Sequence, residues 1–415
     1  MGVRGSCEAA VHSLRQYVLD NSDIDNPNIV LKIDITNAFN SVHCQAILQE
    51  VRLRCPKIYH LVHQSYIFHS PLYVENTVIP SPAGVQQGDL LGPLIFALAL
   101  DPIIRSIESP LNLWFVDDGS IAGPGSAITK DLQQIIVKLA EIGLQLNPKK
   151  CELIPMSPAS NSSTAALQLQ SILPGIKTTE KAELTYLNSP IPHEAIPNAI
   201  KESAKALNTI CDRVQYLDSH TGLFILTHYT SAPRLNYLMR SSPTYHCPEA
   251  LSGLDAKVRE TAASVCKVKM ENKSWAQASL PTRMGGLGLC CLSSLALPCF
   301  HSSLHKSLDL VNQILPESLE EQPTILDEAV RRLKGKYPAI EVPSGEGVSQ
   351  QRAWDDAISK IEFDNLLSSA NQIESARLLA AASPHSGAWL HALPIDELGL
   401  KLEDDAIRIA VSLRI

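Results

Sequence analysis

Aromatic residues are scarce in this chain of 415 residues, at 5% of the total, and no long hydrophobic run occurs. The longest apolar stretch, Leu90 to Leu100, is broken by Gly92 and Pro93 and stops at Asp101. That is well short of the ~20 residues that span a bilayer, so no membrane role is expected. A basic excess is lacking too. The net charge of −8 and the pI of 5.9 exclude a generally cationic nucleic-acid binder, and charge must be read by segment. Residues 1–195 hold 13 basic and 18 acidic residues, 196–290 hold 11 and 7, and 291–415 hold 11 and 18. Only the middle segment is cationic. The ten cysteines form no Cys-x2-Cys pair and follow no secretory leader, which excludes a disulfide framework and points to reduced thiols in an intracellular protein. Cys290, Cys291, Cys299, His301 and His305 lie close in sequence but lack zinc-site spacing. The loop Gly84 to Pro93 lacks the Gly-Lys-Ser/Thr ending of a phosphate-binding P-loop, which excludes an ATPase of that kind.

What is present begins with 45% hydrophobic residues, enough for a packed chain of two to four domains. In Leu113 to Ala122, apolar residues run into Asp117 and Asp118, Gly119 offers a turn, and a second apolar run follows. The pattern predicts a β-hairpin with both acids at its tip. Asp34 stands alone near the end of the upstream strand Ile29 to Ile35. Three carboxylates on neighbouring strands can hold two divalent cations about 3.5–4 Å apart for displacement at phosphorus. Other acid pairs are less telling: Asp404 and Asp405 open the apolar run to Ile415, where acids favour a helix N-terminus.

Around these strands the spacing predicts helices over 7–20, from 36 to about 53, and over 56–69, then strand-like runs at 72–74 and 77–79. The glycine loop 84–93 opens an apolar helix to about Ile107. Ser126 is placed to cap a helix whose apolar face is Ile128, Leu132, Ile135, Ile136, Leu139 and Ile142, ended by Gly143. A turn and strand over 144–154, a Ser/Asn-rich loop at 157–166 and a strand with turn at 184–191 follow. From 196 the pattern is helical, with Ile200, Ala204, Leu207, Cys211, Val214 and Leu217 as one stripe, and 341–349 reads as a linker. The fold class is α+β, an antiparallel sheet backed by helices.

Four blocks stand in a fixed order: Asp34 with Phe39 in Ala-Phe-Asn-Ser, Gly-Val-Gln-Gln-Gly-Asp-x-Leu-Gly-Pro, Phe-Val-Asp-Asp, and Gly-Leu-x-Leu-Asn-Pro-x-Lys-Cys-Glu. Over roughly residues 2–290 the chain thereby resembles the reverse transcriptases of non-LTR retroelements. The resemblance implies a remnant of fingers at 1–27, a polymerase palm with partial fingers at 28–195, a helical thumb-like region at 196–290 and a C-terminal helical region at 291–415. It implies that Asp34, Asp117 and Asp118, with the Ile35 carbonyl, bind two Mg²⁺ ions, Mn²⁺ being the substitute. Phe39 would lie beneath the sugar of the incoming dNTP, and Gln87 and Gly88 along nucleotide and template. Lys150, or Lys149 beside it, would be the general acid for pyrophosphate. Arg234, Arg240, Lys257 and Arg259 would track the phosphates of an RNA or DNA template with its primer. Only 33 residues precede Asp34, so most of the fingers' basic grip on the triphosphate is missing from this chain, which implies weak nucleotide affinity. Three readings stay open: an RNA-directed DNA polymerase, a retroelement remnant that no longer catalyses and at most binds nucleic acid, and an inert folded fragment.

Overall fold

The structure is a computed structural model and describes residues 3–21, 27–68, 70–157, 164–315 and 322–415. It divides into two compact units, Met1–Leu184 and Thr185–Ile415. The seam falls within the predicted strand-and-turn segment.

The first unit opens with α1 (Ser6–Asp20), then β1 (Asn28–Ile33), a single turn α2 (Ala38–Ser41), α3 (Cys44–Arg54) and α4 (Pro56–Tyr66). A separate hairpin, β2 (Ser70–Val74) with β3 (Thr77–Ser81), precedes α5 (Gly92–Ile104). Then come β4 (Leu111–Phe115), β5 (Asp118–Pro124), α6 (Gly125–Glu141), β6 (Glu152–Pro155), α7 (Thr164–Ile172) and β7 (Lys177–Thr178). The main sheet has the order β4-β5-β1-β6-β7, antiparallel except for the last pair, and β1 is its centre.

Alternation along β1 decides which residues face which way. Ile29, Leu31, Ile33 and Ile35 are buried together with Ile128, Leu132, Ile135 and Leu139 of α6 and Ile95, Phe96 and Ala99 of α5. A strand with every second side chain in that core must turn the intervening ones, Lys32 and Asp34, to its opposite face.

Several local expectations are corrected. Gly119 does not make the hairpin turn: Phe115 pairs with Asp118, so the turn residues are Val116 and Asp117, with Val116 at φ 61. Gly119 lies inside β5, where a Cβ would meet the Trp114 ring at 2.8 Å. Trp114 is fixed there by its Nε1–H, which donates to Asn112 Oδ1 (2.9 Å). Ser126 caps nothing, because α6 already starts at Gly125 and has no side-chain cap, whereas Gly143 at φ 82 does follow its end. The predicted helix from 36 to 53 is two helices, separated at Val42 and His43. Of the predicted loop at 157–166, residues 158–163 lie outside the described residues, and Thr164 already starts α7.

The second unit starts with a small hairpin, β8 (Thr185–Tyr186) and β9 (Ser189–Pro190), whose turn residues Leu187 and Asn188 both have positive φ. Tyr237 hydroxyl donates to the Leu187 carbonyl at 2.8 Å and holds that turn. Ten helices follow among the described residues: α8 (Ile196–Val214), α9 (Ser219–Ile225), α10 (Ser231–Ser241), α11 (Pro248–Cys266), α12 (Asn272–Ser279), α13 (Leu292–Ile314), α14 (Gln322–Lys336), α15 (Gln351–Ser368), α16 (Gln372–Ala381) and α17 (Asp404–Arg414). Of the predicted stripe, Ile200, Leu207, Cys211 and Val214 are buried and Ala204 partly so, but α8 ends at Val214 and Leu217 is 45% exposed. Residues 341–349 are no free linker. Val342 and Val348 pack with Tyr337, Trp354 and Ile358, and Trp354 Nε1–H donates to the Val348 carbonyl at 2.9 Å. Leu390, Ile407, Val411 and Ile415 join the same core as Ile200, Leu207 and Val258, so 291–415 shares its interior with 196–290.

Two glycines of the loop before α5 are needed for different reasons. At Gly84 (φ 89) a Cβ would stand 2.5 Å from the Asn40 backbone, whereas at Gly88 (φ 91) it would meet nothing. Gly84→Ala is therefore expected to cost ~3 kcal/mol, through overpacking added to left-handed strain, and Gly88→Ala only ~1 kcal/mol. Urea unfolding of the two variants measures the difference, and equal midpoints would contradict it.

Candidate catalytic site

The register that centres β1 also gathers the acids. Ile33 pairs with Gly119 and Lys32 with Ser120, so Asp34, the next residue, comes to the level of Asp118, and Asp117 lies in the adjoining turn. The backbone of Asp34 is held where strand pairing has ended. Its carbonyl accepts the Asn147 N–H (2.9 Å), and its own N–H donates to the buried Cys151 Sγ (3.4 Å). The Asn-Pro-Lys-Lys-Cys turn thus grips Asp34 and carries Lys150 Nζ to 3.9 Å from Asp34 Oδ2. Lys32 stands on the same face, paired with Glu152 at 3.1 Å.

The Asp118 carboxyl is pushed above the usual carboxylate range. Loss of water is the main cause, then the charges of Asp117 and Asp34, against an opposing pull from Lys32 and Lys150. The three acids therefore sense one another. They are not closed into a ligand set: among the described residues, no three His, Cys, Asp or Glu side chains stand together as a ready metal site.

The remaining predicted residues fall in several places. Ile35 is buried and bridges Leu146. Phe39 is half-buried, packed against the core and stacked on Phe96 with ring centres 4.7 Å apart. Gln87 and Gly88 are exposed at the tip of their loop. Of the two lysines, Lys150 is the one whose charge reaches Asp34 and Asp118. Sequence reasoning missed Lys32, Cys151 and Tyr66. The first was within reach, because two-residue alternation from Asp34 puts it on the acidic face.

In the second unit most of the expected phosphate-binding cations have protein partners. Arg240 turns inward, its Nη1 donating to Gln351 Oε1 (2.9 Å) and Ser302 Oγ (3.3 Å). Lys257 pairs with Asp212 (2.7 Å), and Arg259 donates to the Met270 carbonyl (2.8 Å) and Asn272 Oδ1 (2.9 Å). Arg234 is exposed. Acids of the C-terminal segment take up further basic residues: Asp404 meets Lys267, Glu374 meets Lys273, and Asp356 meets Arg283.

Residues 8–188 match the family described as reverse transcriptase (RNA-dependent DNA polymerase), and this part of the chain is a reverse transcriptase domain. Its relatives place it with the non-LTR retrotransposons. The chain is 21% identical over 306 residues to the retrotransposable element SLACS 132 kDa protein of Trypanosoma brucei gambiense, covering 71% of this chain and 24% of that one. It is 26% identical over 144 residues to the retrovirus-related Pol polyprotein from type-1 retrotransposable element R2 of Nasonia vitripennis, covering 31% and 14%. The chain thus spans a quarter or less of the length of these relatives. A solved structure of telomerase from Candida albicans, in complex with a TWJ fragment of telomeric RNA, matches 77% of this chain and 52% of that one at 10% identity and a TM-score of 0.25, too slight a similarity to bear on the fold. Domains of the reverse transcriptase family work with divalent metal ions and on a nucleic-acid template with its primer. Among the described residues no helix is long and apolar enough to cross a membrane.

Two predictions follow from the charges. An acid whose carboxyl is pushed up on folding gives stability that is present below the unfolded carboxylate range and lost as pH rises through the elevated value. Asp118→Asn should remove that loss and raise the metal-free melting temperature at neutral pH by roughly 2 °C. Added Mn²⁺ should raise the wild-type value more than that of the variant. Thermal melts with and without the ion decide both. Arg240→Ala should destabilise the chain by ~2 kcal/mol, because buried polar partners lose their donor, while Arg234→Ala should leave unfolding unchanged. A denaturant midpoint unmoved in Arg240→Ala would show that this arginine is not an internal tie.

Proposed function

We propose that this chain is the polymerase part of a retrotransposon protein, an RNA-directed DNA polymerase that adds dNTPs to a primer 3′-hydroxyl. On this reading 28–195 is the palm with partial fingers, 196–290 the thumb and 291–415 a buttress that shares the thumb's core. The observation that carries it is the meeting of Asp34, Asp117 and Asp118 at one end of adjacent strands, with an elevated carboxyl at Asp118.

These are hard oxygen donors, suited to Mg²⁺ or Mn²⁺. Asp34 and Asp117 would hold two ions between them, Asp118 would complete the acidic set, and the Ile35 carbonyl would face the ion on the triphosphate side. When bound, the ions would activate the primer hydroxyl and neutralise the leaving pyrophosphate. The primer oxygen forms its bond to the α-phosphorus while the bond to the β-phosphate oxygen breaks. Lys150, beside Asp34, would give the leaving group its proton. The flat ring of Phe39, fixed by Phe96, would underlie the deoxyribose and collide with a 2′-hydroxyl. Gln87 and Gly88 would lie along the nucleotide and template.

The test is primer extension by the purified chain on an RNA template with dNTPs and Mg²⁺. Extension should fall by at least ~10³-fold in Asp117→Asn, a loss of the size expected when a ligand aimed at transition-state charge is removed. No extension by the wild-type chain, at any Mn²⁺ or Mg²⁺ concentration tried, overturns the polymerase reading and leaves the non-catalytic remnant.

A further inference from the structure

The loop that presents Gln87 and Gly88 is tied at both ends to one hydroxyl. Tyr66, the last residue of α4, is 5% exposed, with its ring in the core beside Val62 and Val85. Its hydroxyl donates to Asp89 Oδ2 at 2.6 Å and accepts the Gln86 N–H at 3.2 Å. The other carboxylate oxygen of Asp89 accepts the Leu91 N–H at 2.9 Å, next to the start of α5. Within the loop, the Asp89 N–H donates to the Gln86 carbonyl (3.2 Å) and the Gly92 N–H to the Asp89 carbonyl (3.0 Å). Gln86 Nε2 reaches back to the Ser65 carbonyl at 3.4 Å. Between these ties Gln87 and Gly88 are exposed at the tip, as is Leu90 beyond Asp89, with Gly88 in left-handed backbone over open space.

We infer that the Tyr66–Asp89 contact is a positioning device that presets the Gln87–Gly88 tip for the incoming nucleotide. The inference rests on the polymerase reading above and adds two residues to it. Burial and the carboxylate partner hold the Tyr66 hydroxyl in its protonated form, so it stays a donor across the working pH range. A tip held at both ends by a buried hub loses less conformational freedom when a ligand docks, and the benefit falls on binding rather than on the chemical step. Tyr66 touches no reacting atom. It acts through Asp89 and the backbone of Gln86.

The experiment is steady-state primer extension by the full chain with Tyr66→Phe, which keeps the ring in the core and removes both hydroxyl contacts. The KM for dNTP should rise about fivefold, the worth of one ordinary hydrogen bond, while kcat stays within about twofold. Asp89→Asn should move KM the same way, and the double variant should be little worse than either single change, since both break one connection. A purely structural tyrosine would lower the melting temperature and leave the KM of the folded fraction unchanged. Extension by the wild-type chain with an unaltered KM in Tyr66→Phe overturns this inference alone. Absence of extension by the wild-type chain overturns it together with the polymerase reading.

Discussion

Two-residue alternation at the end of β1 is the constraint on which the rest of the first unit depends. Ile33 and Ile35 are buried in the helical layer, and that burial alone turns Lys32 and Asp34 to the face where β5 brings Asp118. A slip of one residue would put Asp34 into an apolar core, where an unpaired carboxylate is far too costly to keep. The core of α5 and α6 therefore fixes the position of a charge that it never touches. The cost appears as mutual repulsion at the strand ends, and the sheet holds the acids close although their charges favour separation. Holding like charges near one another works against stability, the usual compromise where charge is concentrated.

Much of that arrangement could be read from the residues. The strand with Asp34, the hairpin with Asp117 and Asp118, and the helix with its apolar face and Gly143 stop all rest on patterns with a local cause. The failures share a different cause. Gly119 looked like a turn residue because glycine often is one, but its reason is the Trp114 ring lying across it, a tertiary contact. The true turn places a β-branched valine at φ 61, which propensity argues against and which only the surrounding strands can enforce. Ser126 is a good cap residue that stands two positions too late, since α6 starts at Gly125 and its cap position is Pro124. The segment 341–349 has the composition of a linker, yet the Trp354 side chain recruits it into a small core of its own. Sequence reading succeeded where neighbours in the chain decide and failed where distant residues do.

Charge in the second unit gives the sharpest example. Read by segment, 196–290 is cationic and invites a phosphate backbone. In the folded unit, Lys267 meets Asp404 and Lys273 meets Glu374, partners 137 and 101 residues away. Segment sums treat a charge as available to any partner, but a cation already beside a carboxylate offers a weaker field to a phosphate and must lose one contact to make the other. Acids of 291–415 and bases of 196–290 meet in three ion pairs, over segments that share one core.

The same distinction separates the two glycines before α5 and explains how an exposed loop can be well defined. Gly84 is required by the Asn40 backbone pressed against it, and it anchors the loop to the chain that carries Phe39. Gly88 is required only by its own left-handed backbone, because a side chain there would point into open space. A left-handed glycine with empty surroundings, at the tip of a loop tied on both sides, is unexplained by packing. The protein's own contacts define the base of this loop, through Asn40 and the Tyr66 hydroxyl, and leave its tip open to solvent.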